Sequence, residues 1–204
     1  MMMALINSRD GKIILDTSEV LIIVGVTKPN GHSFRLVKGN MAYACPIRKE
    51  EVSVYFLQEG GGDDSFDAHF CPYAADSVFG IRVDNTYNYF FTAALSGCNL
   101  GFGTIAEDGS HWVGHSNAAT VGGLVADFMG DEDADIAAAR VVQQAIQAHM
   151  LQSLTPVGIV KPEGYGRAVN GGEDERKATV MGIRNPETGG WKYFRQNYID
   201  SDLY

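Results

Sequence analysis

No stretch of this 204-residue chain reaches the ~18 consecutive apolar residues that a membrane-spanning helix requires. The most apolar segment, Val20 to Val26, is far too short and reads as a buried strand. Residues 1–12 have neither a long apolar core nor a small-residue cleavage site. A classical secretory signal is therefore not expected, and secretion or delivery by a signal-independent route stays open. A basic surplus is also missing. The formal net charge is -9, which argues against nucleic acid as the partner, because such binders carry a basic patch. Cysteine is scarce, with Cys45, Cys71 and Cys98 making three. That number is odd, too low for a disulfide scaffold, and contains no Cys-x-x-Cys pair, so it fits a reducing environment. Gly60-Gly61-Gly62 and Gly171-Gly172 run into acidic residues with no lysine following, which removes the phosphate-binding-loop reading.

What is present is a chain with 45% hydrophobic residues, enough for a sizeable core. No composition break divides residues 1–204, so one domain is expected. The first third reads as strands and turns. Strands are expected at Lys12–Leu15, Val20–Val26, Ser33–Val37 and Val52–Leu57, with a turn at Lys28-Pro29-Asn30-Gly31 making the second and third a hairpin. Ala68–Phe79 reads as irregular and Gly80–Val83 as a strand. Asn85–Leu95 is ambiguous between strand and helix, and its aromatics read as core. Asp131–Leu154 reads as a helix, with acids at its start and a core-facing stripe of Ile136, Ala139, Val142, Ile146, Met150 and Leu154. Its glutamines read as solvated, and Pro156 ends it. Ala178–Arg184 and Trp191–Tyr198 form a terminal hairpin. Many strands and one clear helix predict a sheet-rich α+β domain, with two packed sheets and helices outside.

The chemistry concentrates between Phe90 and Ala118. Cys98 sits in a small-residue turn, Leu95-Ser96-Gly97-Cys98. Asn99–Ala106 reads as a strand, Asp108-Gly109 as a tight turn, and His111–His115 as the returning strand. Alternation puts His111, Val113 and His115 on one face. Antiparallel pairing then brings His115 beside Cys98, with His111 nearer the turn. A thiol titrates at about 8.5, so a neighbouring imidazolium is needed to hold a reactive thiolate at neutral pH. The same imidazole can protonate a leaving amine. Gly97 removes bulk beside the sulfur and accepts unusual backbone angles. Backbone N–H groups near Cys98 are candidate oxyanion donors, and the Thr92 hydroxyl or carbonyl is a candidate for orienting the base. A packed, inert cysteine is the competing reading. A zinc site at His111 and His115 is another, and needs Cys98 as a further ligand.

Phe90-Phe91-Thr92-Ala93-Ala94-Leu95-Ser96-Gly97-Cys98 resembles the FFT-x-x-LSGC segment of the Burkholderia lethal factor-like glutamine deamidase toxins. Its Leu-Ser-Gly-Cys core is similar to the catalytic domain of the cytotoxic necrotizing factors. The resemblance is specific over about thirty residues and architectural elsewhere, where a Tyr-Gly-Arg loop (Tyr165 to Arg167) precedes a terminal hairpin. It implies a β-sandwich-like core of mixed sheets with surrounding helices and no cofactor. It also implies a bacterial toxin or effector that converts a glutamine of a host protein to glutamate in the host cytosol. The implied site is Cys98, His115 and Thr92, with Ser96 and Gly97 at the substrate. The family's targets are small GTPases or a translation factor. The interval from Cys98 to His115 is longer than in the lethal factor, and His111 matches that interval more closely. His115 is preferred because it ends the strand nearest the cysteine, in the context His115-Ser116-Asn117. A transglutaminase or other thiol amidase on the same pair, and a non-enzymatic β-sandwich binding protein, are the alternatives.

Overall fold

The computed structural model describes residues 20–24, 33–44, 51–61, 65–120, 124, 133–162 and 176–199. Its strands in chain order are β1 (Val20–Val24), β2 (Ser33–Ala44), β3 (Glu51–Glu59), β4 (Phe66–Asp67), β5 (His69–Cys71), β6 (Val78–Val83), β7 (Tyr89–Thr92), β8 (Asn99–Gly103) and β9 (His111–Ser116). Helix α1 (Asp133–Met150) continues into a 3-10 turn, Leu151–Leu154, and the chain ends with β10 (Pro156–Val160), β11 (Arg176–Arg184) and β12 (Trp191–Ile199). They form three four-stranded sheets, ordered β1-β3-β2-β4, β12-β11-β7-β5 and β10-β8-β9-β6. The fold is α+β with mixed sheets, as its strand-rich pattern predicts, but with three sheets among the described residues rather than the two expected.

The sheet β12-β11-β7-β5 lies in the middle. Its strand β7, Tyr-Phe-Phe-Thr, is buried throughout, because alternate residues feed two different cores. Tyr89 and Phe91 pack with Phe34, Leu36, Leu57 and Phe70 on the side of the first sheet. Phe90 packs with Leu95, Cys98, Leu100, Val113 and Val180 on the side of the third. Each fully buried phenylalanine contributes about 1.5–3 kcal/mol of transfer free energy. A strand buried on both faces shows no apolar–polar alternation, which is why Asn85–Leu95 is ambiguous in the sequence.

Helix α1 and its 3-10 turn cover the outer face of the third sheet. Gly80, Gly114 and Gly101 stand in line across β6, β9 and β8. The bare backbone there receives Leu151 and Leu154: a Cβ added at Gly101 would meet both Leu151 δ carbons at 3.2 Å. The helix face against the sheet runs Ala139, Gln143, Gln147, Leu151. Ala139 and Leu151 are buried, and so is Gln147.

Several expectations are corrected. Val142 is 40% exposed and is not core, while Gln147 is fully buried rather than solvated, its Nε2 donating to the Gly97 carbonyl of the underlying loop. β1 does not form a hairpin with β2. It pairs in parallel with β3, which lies between them. Pro156 ends the helical segment but also opens β10 on the edge beside β8, where its missing N–H costs no ladder bond. The irregular reading of Ala68–Phe79 misses the short β5, a parallel partner of β7. The strand at Lys12–Leu15, the turn at Lys28–Gly31 and the loop at Gly164–Gly172 lie outside the described residues.

Replacing Gly114 by alanine is expected to lower stability by about 1–3 kcal/mol. The new Cβ overlaps Leu154 Cδ1 and stands 3.1 Å from Leu151 Cδ2. A reduced urea midpoint at unchanged slope checks this, and an unchanged midpoint contradicts the close seating of the 3-10 turn on the glycine row.

Candidate active site

The hairpin of β8 and β9 sets the site. Its turn uses Gly109 at φ +80°, with the Asp108 carboxylate accepting from the Ser110 N–H at 2.9 Å. Pairing places Asn99 opposite Ser116 and Leu100 opposite His115. Continuing that register by one residue, Cys98 falls opposite Asn117. Because side chains alternate, Cys98, Leu100, His115 and Asn117 share the inward face. Cys98 and His115 are thus diagonal neighbours, a relation of roughly 7–8 Å across antiparallel strands. Gly97, at φ +89°, turns the chain into β8. Just before it, Leu95 is tied to Ala178 by reciprocal backbone bonds of 2.7 and 3.0 Å. Ser96 is exposed and Gly97 half-buried, forming the outer lip beside the thiol.

Asn117 donates from Nδ2 to the Cys98 sulfur at 3.1 Å. Its Oδ1 accepts from the backbone N–H of Ala119 at 2.9 Å and of Asp76 at 3.4 Å. Those two donors fix which end of the amide is oxygen, and so fix the NH2 on the sulfur. The Asn117 backbone N–H donates to Ser77 at 3.0 Å. From above, α1 clamps the same loops. Gln147 donates to the Gly97 carbonyl at 3.1 Å, Gln143 to the Ala118 carbonyl at 3.0 Å, and Asn99 to the Gln144 carbonyl at 3.4 Å.

His115 is 1% exposed. Among the described residues neither of its ring nitrogens has a hydrogen-bond partner. Burial without a counter-charge pushes its pKa down to about 4, so the ring is neutral at pH 7 and one nitrogen is an acceptor. The ring of Tyr73 meets it edge-on, centroids 5.8 Å apart, and is itself partly exposed. Burial first, then the negative charge of Cys98 and of Asp76, raises the pKa of the Tyr73 hydroxyl. Tyr73 therefore stands between the buried pair and solvent.

Two other expectations meet the geometry. Thr92 is fully buried, and the alternation of β7 turns it toward the third sheet with Phe90. Its hydroxyl, however, donates to the Ala93 carbonyl at 2.7 Å and makes no bond to His115. His111 is excluded as the partner of Cys98. It lies two positions closer to the turn than Val113, the residue opposite Phe102. Its Nε2 meets the Tyr193 hydroxyl and its Nδ1 the Gly109 carbonyl at 3.2 Å. His111 and His115 are also roughly 13 Å apart along the strand, too far to share a zinc ion bound at ~2 Å. Among the described residues no group of three His, Cys, Asp or Glu side chains is arranged to hold a metal. Asn117, Gln147 and Tyr73 carry no role in the sequence reading. Asn117 was within reach, since the alternation that joins His111 to His115 extends by two residues to it.

The His115 titration sets an acid limit on the fold. The unfolded imidazole takes its proton near the ordinary 6.5 and the folded one only near 4. Between these values the unfolded chain holds more protons, so stability falls as pH drops through this window, by up to roughly 3 kcal/mol. Urea unfolding across that range is expected to show a smaller loss in His115→Gln than in the unchanged protein; equal losses contradict a buried neutral ring.

Among the described residues no helix is long and apolar enough to cross a membrane. Neither a scan against protein-family models nor a search of curated proteins finds a match to this chain.

Proposed function

We propose that the chain is a cysteine-dependent protein glutamine deamidase, with Cys98 as nucleophile and His115 as its proton acceptor and donor. One observation carries the reading. A thiol that accepts an amide N–H at 3.1 Å shares its strand face with a buried imidazole whose ring nitrogens are unengaged among the described residues. The resemblance of residues 90–98 to the necrotizing-factor and lethal-factor toxins supports the same chemistry and supplies the substrate class, a glutamine side chain on a host protein.

The reaction balances on these two groups. His115 takes the thiol proton and the sulfur attacks the carboxamide carbon, forming a C–S bond. The C–N bond breaks, and ammonia leaves with the proton held by His115. Water, giving a proton to His115, adds to the thioester. The C–S bond then breaks, glutamate is released, and the proton returns to the sulfur. A neutral imidazole suits the first step, since an already protonated ring cannot accept. Ser96 and Gly97, at the outer lip, are positioned to meet the substrate backbone. An amine in place of water gives transglutamination at the same site.

The burial of Cys98 and His115, 2% and 1% exposed, favours a second reading, a binding module in which both residues are packing. The test is conversion of glutamine to glutamate in host-cell lysate treated with the protein, read by proteome-wide mass spectrometry. The unchanged chain is expected to convert a defined glutamine, Cys98→Ala to lose the conversion, and His115→Ala to lower its rate by about 10²–10⁴-fold. Conversion persisting in Cys98→Ala sinks the deamidase reading, and the absence of any converted glutamine favours the binding module.

A further inference from the structure

The deamidase reading assigns no role to Asn117, yet its side chain is the group seen donating to the Cys98 sulfur. The geometry points to Asn117 as a third catalytic residue, whose Nδ2–H holds the sulfur as a thiolate when its proton passes to His115. This rests on the reading of Cys98 as a nucleophile.

Three observations carry it. An N–H donor at 3.1 Å favours the anionic sulfur, because a charged acceptor gains more from a hydrogen bond than a neutral one. The amide is not free to rotate its NH2 away. Its oxygen is held by the backbone N–H groups of Ala119 and Asp76, and its main chain by Ser77. It is also 5% exposed, so little water competes for the sulfur. A thiolate in a Cys–His enzyme is commonly held by an imidazolium. Here the His115 ring is desolvated and disfavours charge, which leaves the ion pair weak and increases the need for a neutral donor.

Cys71 supplies an internal contrast. It is a second buried thiol in the same apolar cluster, but its sulfur faces the carbonyls of Phe79 at 3.4 Å and Val113 at 3.9 Å. Burial pushes its pKa up to about 12, against an opposing backbone hydrogen bond from His115. Cys98 differs in having a side-chain amide N–H directed at its sulfur.

The titratable groups placed around Cys98, among the described residues, are His115 on β9, Cys71 on β5, and Tyr73 and Asp76 in the loop after β5; of these, Tyr73 is raised in part by the charge of Cys98. Helix α1 brings only the amides of Gln143, Gln144 and Gln147 to these loops. Asn117→Asp keeps the oxygen that accepts from Ala119 and Asp76 and removes the donor to sulfur, replacing it with negative charge. Asn117→Ala removes the donor without adding charge.

The experiment is iodoacetamide labelling of Cys98 as a function of pH, resolved by peptide mass spectrometry from Cys45 and Cys71. It is run on the unchanged chain and both variants, with melting temperatures measured alongside. The midpoint of Cys98 labelling is expected to rise by about one pH unit in Asn117→Ala and further in Asn117→Asp. Superimposed curves overturn the assignment. Should the aspartate variant melt below the labelling temperature, the alanine variant carries the same decision, since its main-chain bond to Ser77 is untouched. Failure of the deamidase reading looks different: no glutamine is converted, while the labelling midpoint still moves with residue 117.

Discussion

The antiparallel register between β8 and β9 is the constraint from which the site follows. With Leu100 opposite His115, one set of alternating residues brings a thiol, an imidazole and a carboxamide onto the inward face. Slipping β9 by a single residue against β8 would send His115 and Asn117 to the helix side and leave Cys98 without them. The register is held from several directions. The Asp108-Gly109 turn closes one end, β6 pairs along the whole of β9, and the glutamines of α1 grip Gly97 and Ala118 at the other end. The glycine row of Gly80, Gly101 and Gly114 acts on the opposite face. An added Cβ at Gly114 would overlap Leu154 and one at Gly101 would press on Leu151, so the row seats the 3-10 turn that ends the helix over the Cys98 loop.

Burial decides how such a site works. An exposed Cys–His pair can store a thiolate beside an imidazolium, because water stabilises both charges. At His115 that solvation is absent, and desolvation lowers the proton affinity of the ring. The resting imidazole is therefore neutral, and it gains charge only when it takes a proton. Fixed dipoles matter most in such a place, because a preoriented N–H needs no reorganisation as the charge develops. The same low-dielectric interior pushes the pKa of the Cys71 thiol up to about 12. Residue type alone does not separate Cys71 from Cys98; the side-chain amide at the Cys98 sulfur does.

Much of this was legible in the sequence where local signals suffice. The hairpin from Cys98 to His115 follows from a turn dipeptide and period-two alternation, and the terminal pair β11–β12 from the same rules. The preference for His115 over His111 rests on strand geometry, and the pairing of β9 agrees with it. What was not legible depends on partners distant in sequence. β1 beside β3 and β5 beside β7 are parallel pairs, which no turn announces. β5 is three residues long and carries too little pattern to be seen. The helix was legible but its inward face was not. A periodic apolar stripe predicts which side packs when the facing surface is apolar. The sheet edge under α1 instead presents backbone carbonyls of Gly97 and Ala118, so amides turn inward and Val142 turns out.

The inward glutamines and Asn117 have the same origin. The turn at Ser96–Cys98 interrupts regular pairing, and the carbonyls of Gly97 and Ala118 accept from Gln147 and Gln143. Buried polar groups must be bonded or the fold loses the full cost of their desolvation, so side-chain amides from α1 and from the end of β9 are drawn to this place. Asn117 meets two such backbone donors with its oxygen, which leaves its NH2 directed at the sulfur. The structural demand of closing the loop and the chemical demand of holding a thiolate are thus met by one amide. The Tyr73 ring then closes the remaining side against His115. With Cys98 and His115 2% and 1% exposed, water has little access to the pair; under the proposed reading, the exposed Ser96 and half-buried Gly97 mark the side from which a carboxamide would reach the sulfur.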